Sequence, residues 1–105
     1  MAAGINATLV ADSNTTVYTS SGTTKITRAS ICEYGATGTT VTVYLVPNAG
    51  SASNTTTVLK DQAITSKETI ILNELIGAVL VDGETVVMVA AAASLVTANI
   101  SAMAF

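Results

Sequence analysis

Apolar and polar residues alternate along much of this chain, and β-branched side chains carry the alternation. Thr39–Val46 reads TTVTVYLV, with Val41, Val43 and Leu45 set against Thr40, Thr42 and Tyr44. A period of two puts the first set on one face of a strand and the second on the other, so the three aliphatics are expected to face inward. The pattern stops at Pro47, the single proline, which cannot donate to a sheet ladder. Further strand-like segments are Thr15–Thr19, Thr24–Tyr34, Thr55–Ile64, Glu68–Asn73, Gly77–Val81, Thr85–Ala91 and Leu95–Phe105. Turn chemistry separates them at Ser20–Gly22, Gly35–Gly38, Pro47–Asn54 and Asp82–Glu84.

Two of these segments differ in how clearly their faces can be read. In the last, Val96, Ala98, Ile100 and Ala102 share one face, and Thr97, Asn99 and Ser101 the other. Thr24–Tyr34 is ambiguous: Ile26, Ser30 and Cys32 fall on one side, Ala29 and Ile31 on the other. A turn of helix competes at Leu72–Leu80, and alanine propensity favours helix at Ala90–Leu95, but valine runs on both sides favour strand. Short strands with turn signals every 8–12 residues predict an all-β fold. The expectation is an antiparallel two-sheet sandwich of seven to eight strands, in jelly-roll or Greek-key order, over residues 15–105. Residues 1–14 are set apart as an N-terminal arm.

Composition sharpens this picture. The 105 residues suit one domain; 50% are hydrophobic but only 4% aromatic, so Val, Ile, Leu and Ala must fill the core. Charged residues make up 10%, against roughly 25% in an ordinary soluble domain. The surface is therefore covered by Thr, Ser and Asn, and a mean hydropathy of +0.58 adds the expectation that partners cover part of it. The four cations Lys25, Arg28, Lys60 and Lys67 are not clustered, which argues against nucleic acid as a partner. With Cys32 alone, no intrachain disulfide can form, and a reducing cytoplasm is the expected place of folding. The start, MAAGINATLVAD, lacks the basic residue and apolar run of a signal peptide, and VVMVAAAASLV is too short for a membrane span.

The inventory for chemistry is thin. There is no histidine, so no Ser–His or Cys–His pair can form. Cys32 reads as a small hydrophobe of the core or of an interface. Asp82 and Glu84 flank Gly83 as ordinary turn residues, and Asp12-Ser13-Asn14 fails the spacing of a calcium loop. Glu33 is the unusual acid, late in a strand, expected either to pair with Arg28 or Lys25 or to sit on a solvated edge. Asn6, Asn14, Asn54 and Asn99 match the glycosylation pattern but read as turn and strand-face residues in so Asn- and Thr-rich a chain. No catalytic, metal-binding or cofactor-binding residue is expected, and an enzyme is not the reading.

Three stretches carry a resemblance: TVYTSSGTTKITR, GTTVTVYLVPNAG and VDGETVVMVAAAASLVTANISA. In this order they resemble a family of small β-sandwich structural proteins of tailed bacteriophages. That resemblance covers about Val17 to the end; ICEY at Ile31–Tyr34 is more polar than the pattern, and the first dozen residues lie outside it. It implies a virion component made in the host bacterial cytoplasm, foremost a capsid decoration (cement) protein bound to the major capsid protein. It further implies a homo-oligomer, with a trimer favoured. Ile5, Leu9 and Val10 of the arm and Phe105 at the end are the expected contact residues. The alternative is a tail, baseplate or fibre component, such as a carbohydrate-binding module using Tyr18, Tyr34, Tyr44 or Phe105.

Overall fold

A computed structural model describes residues 2–10, 12–35, 38–51, 56–91 and 96–104, with the backbone course alone for 2–8 and 104. Its strands are β1 (Ala2–Val10), β2 (Thr15–Thr19), β3 (Thr24–Glu33), β4 (Thr39–Val46), β5 (Thr57–Ile64), β6 (Thr69–Ile71), β7 (Val79–Leu80), β8 (Thr85–Ala90) and β9 (Val96–Ala104). Among the described residues there is no α-helix, and so none long and apolar enough to cross a membrane.

Two sheets pack face to face. The front sheet runs β1-β9-β3-β6, with β7 also on β3; the back sheet runs β2-β8-β4-β5, and every pairing is antiparallel. β6 lies opposite Ser30–Cys32 and β7 opposite Thr24 and Lys25, so together they form one interrupted strand along the same side of β3. Counted that way, first pairs with last (β1 with β9), then β2 with β8, β3 with β6 and β7, and β4 with β5. The chain is thus doubled back on itself as one long hairpin and rolled into two layers, the jelly-roll order.

The all-β sandwich expectation holds, with nine described strands rather than seven or eight. The added strand is β1, in the stretch expected to be an arm. Its backbone follows β9 in unbroken register from Gly4 opposite Ala102 to Val10 opposite Val96. The reason is β9 itself. Its inward residues are buried, and without β1 the second side of its backbone would be left without partners at the edge of the core. The helical alternative at Leu72–Leu80 resolves into turns: Leu75 N donates to Leu72 O (3.0 Å) and Ala78 N to Leu75 O (3.1 Å). Leu72 and Leu75 point into the core while Gly77, at φ 91°, turns the chain back to β3. The alternative at Ala90–Leu95 falls largely outside the described residues.

The core lies between the sheets and is aliphatic, built from residues such as Ile26, Ile31, Val41, Val43, Leu75, Met88 and Ile100. Val96, Ala98, Ile100 and Ala102 all face it, as the alternation predicts, and Val41 and Val43 do so with Leu45 packed against them. β3 was ambiguous for a physical reason: its register against β9 shifts between Ile26 and Arg28. An extra residue at a bulge flips the side-chain parity, so Thr24 and Ile26 face inward before it and Ala29, Ile31 and Glu33 after it. A second irregularity falls in β5, where Asp61 takes φ 49°. There the Asp61 N–H donates to Thr42 Oγ1 (3.1 Å), whose hydroxyl donates to Asp61 Oδ1 (3.2 Å). That exchange satisfies a threonine buried on the outer side of β4.

Candidate interaction surface

The outward face of the front sheet is read from its cross-strand rows. One row is Leu9, Thr97, Cys32 and Thr69; the next is Asn99, Ser30 and Ile71; a third is Met103, Lys25 and Val79. Its middle is polar, and its two margins carry aliphatics. Leu9 and Met103 are about half exposed toward the β1 side. Ile71 (63% exposed), Ile76, Val79 and Val81 form a run along the β6–β7 margin. Strand alternation put these side chains outward because their inward neighbours Ile70, Leu72 and Leu80 serve the core. The sequence shows an aliphatic run at Ile70–Val81 but cannot tell which members are left in water; the pairing of β6 and β7 with β3 decides that.

The expected contact residues separate in the structure. Leu9 is exposed on this face, whereas Val10 is fully buried in the core. Val10 therefore leaves the contact set: its apolar surface is already used within the fold. Of Ile5 the backbone position is known, opposite Ser101, and Phe105 lies outside the described residues. Of the tyrosines, Tyr34 is exposed and Tyr44 half-buried, but Tyr18 is buried and cannot serve as a sugar-stacking platform.

The titratable groups are mostly structural. Asp82 Oδ1 accepts the Gly22 N–H (2.9 Å) and Glu84 Oε1 the Val81 N–H (2.8 Å), the turn roles expected of them. Glu68 accepts the Thr65 N–H (2.8 Å) and hydroxyl (3.0 Å). These two hydrogen bonds, the backbone one foremost, hold its carboxyl below the ordinary 4.5. Cys32 is half-buried among threonines on the outer face rather than in the core.

Glu33 follows neither expected course. The bulge in β3 turns it inward, where it is fully buried; Oε1 accepts the Gly35 N–H, and Oε2 has no hydrogen-bond partner among the described residues. Among the described residues no cluster of three or more metal-ligating side chains occurs. A shallow depression of about 590 Å³ at this end of the back sheet is lined by Gly38, Thr39, Thr40, Ile64, Thr65 and Ser66, with Ala63 and Ala91. Its wall offers hydroxyls and aliphatic carbon, without a titratable side chain.

Compared with known proteins, the chain matches no family model, no curated protein and no solved structure.

Proposed function

We propose that this chain is a non-enzymatic structural protein of a tailed-bacteriophage virion, a capsid decoration protein that stabilises the head by binding shell subunits. The observation that carries the binding part is the aliphatic margin Ile71, Ile76, Val79 and Val81 on a chain with 10% charged residues. Several exposed aliphatics on one margin of a sheet suit a surface that meets another protein. A rigid, charge-poor sandwich suits a task in which many copies on a symmetric shell each contribute a modest contact. The phage and shell parts of the reading are supported by the sequence resemblance through Val17–Arg28, the Thr39–Gly50 stretch and the closing hairpin. A chain without histidine fits a role in contact rather than turnover.

The test is copy number in purified particles together with one surface variant. Hundreds of copies per particle are expected for a shell protein, and about a dozen or fewer would move it to the tail. Ile71→Glu with Val79→Glu is expected to abolish particle association while leaving the circular dichroism spectrum unchanged. Absence from particles, or undiminished binding of this variant, would overturn the proposal.

A further inference from the structure

We infer that β1 is a self-pairing edge, through which two copies of this chain join their front sheets across a two-fold axis. The four sheet margins differ in how well they are protected. An unpaired edge strand presents backbone N–H and C=O groups at every second residue, a template for another strand unless something blunts it. Three of the margins here are blunted. β5 carries Lys60 and Asp61 and is broken by register shifts, with Asp61 at φ 49°. β6 and β7 are three and two residues long, separated by the Leu72–Ala78 turn. β2 has five residues and a shift between Thr16 and Tyr18.

β1 has a single register shift, between Ala2 and Gly4 at its start, and neither a charge nor a break beyond it. From Gly4 to Val10 its register against β9 is continuous, and AAGINATLV contains no charge and no proline. Among the described residues its outer side is paired with no strand.

The occupant that fits best is a second copy of β1. Antiparallel pairing about a two-fold axis makes an edge complementary to itself, since each residue's donor and acceptor meet those of its symmetry partner. Because the strand is uncharged, no like charges are brought opposite each other. The uninterrupted stretch Gly4–Val10 is centred on Ala7, so the pairing places Ala7 opposite Ala7 of the second copy. In the same register Leu9, exposed on the outer face, stands opposite Ile5 of the second copy, twice over. Two hydrophobic cross-strand positions thus accompany the backbone ladder. This inference does not rest on the phage reading, and it favours a two-fold pair over the threefold assembly that the resemblance implies.

The experiment uses the full chain with Cys32→Ser, followed by sedimentation equilibrium over a wide concentration range. A dimer is expected; a monomer at millimolar concentration, or a trimer, would overturn the inference. Register is then tested at the axis. Ala7→Lys alone and Ala7→Glu alone each set like charges opposite and are expected to weaken dimerisation about fivefold or more. An equimolar mixture of the two is expected to restore it as a heterodimer. Unchanged self-association of either variant, or no recovery on mixing while both retain the parent thermal midpoint, would refute the β1–β1 pair. As an independent check, Ala7→Cys is expected to form a disulfide-linked dimer on mild oxidation, because facing Cα atoms of an antiparallel pair lie within disulfide reach. Ile71→Cys, on the opposite margin, is expected to stay unlinked; the reverse pattern would refute the inference.

Discussion

Thr24→Val should cost far more than one hydrogen bond, and Tyr18→Phe should undo about half of the excess. Tyr18, Ser20 and Thr24 are all buried where β2 ends and β3 begins. The Tyr18 hydroxyl donates to Thr24 Oγ1 (2.9 Å), Thr24 Oγ1 and Ser20 Oγ are 2.9 Å apart, and Ser20 Oγ donates to Gly22 O (2.8 Å). Each hydroxyl has one proton, so the arrangement that satisfies all three runs from Tyr18 to Thr24 to Ser20 to Gly22. Valine at 24 keeps the shape and removes the middle link. Losing the Thr24–Ser20 bond costs about 1 kcal/mol, and the stranded tyrosine hydroxyl adds roughly 2. Tyr18→Phe alone costs about 1 kcal/mol, because Thr24 still donates to Ser20. If these were independent, the double variant would lose about 4 kcal/mol; with no hydroxyl left stranded it should lose about 2. Urea unfolding of the four proteins, read at constant m-value, measures the cycle. Thr24→Val should also lower the melting midpoint by about 15 °C in a domain of this size. Costs that add within about 0.5 kcal/mol would show that the chain of hydroxyls does not act as a unit.

Three further outcomes are expected. Glu33→Gln should raise stability to urea by about 1 kcal/mol, since it keeps an acceptor for the Gly35 N–H and replaces a buried carboxyl whose second oxygen meets no donor among the described residues, the unpaired amide NH2 offsetting part of the gain; a loss of that size would mean Oε2 is partnered in solution. Gly38→Ala should destabilise by roughly 1–3 kcal/mol, because a Cβ there would come within 2.9 Å of the Ile64 carbonyl oxygen, so that one of the two backbones must shift; an unchanged denaturation midpoint would count against that close approach. Glu68 titrates below its unfolded value of 4.5, so its contribution to the Thr65–Glu68 turn is complete above that pH and lost as pH falls through the folded midpoint. Carbon-detected NMR should place that midpoint under 4.5 and move it back upward in Thr65→Val, and a midpoint at or above 4.5 in the parent would contradict the two hydrogen bonds.

Local periodicity made most of the strands legible, because Val41, Val43 and the even residues from Val96 to Ala102 keep strict alternation on one buried face. It failed where one residue breaks parity. The bulge between Ile26 and Arg28 moves Ala29, Ile31 and Glu33 inward, and no composition signal in Thr27-Arg28 announces it. β1 was hidden for another reason: AAGINATLV has few β-branched residues, and its strand character comes from β9, some ninety residues away in sequence. The exposure of the apolar residues was less legible. Leu9 is exposed while Val10, its neighbour, is on the opposite side of the strand, and the aliphatics of Ile71–Val81 sort into core and surface only once β3 lies beside them.

The pairing of first strand with last sets the order in which the molecule can be completed. Ala2 meets Met103 and Val10 meets Val96, so β1 waits, unsheltered, until a segment about ninety positions later in the chain has been made. Until then β9 is absent from between β1 and β3, and the front layer does not exist as a sheet. Until that closure the uncharged strand β1 stays bare, so a slow last step lengthens the time in which unfinished copies can meet through it.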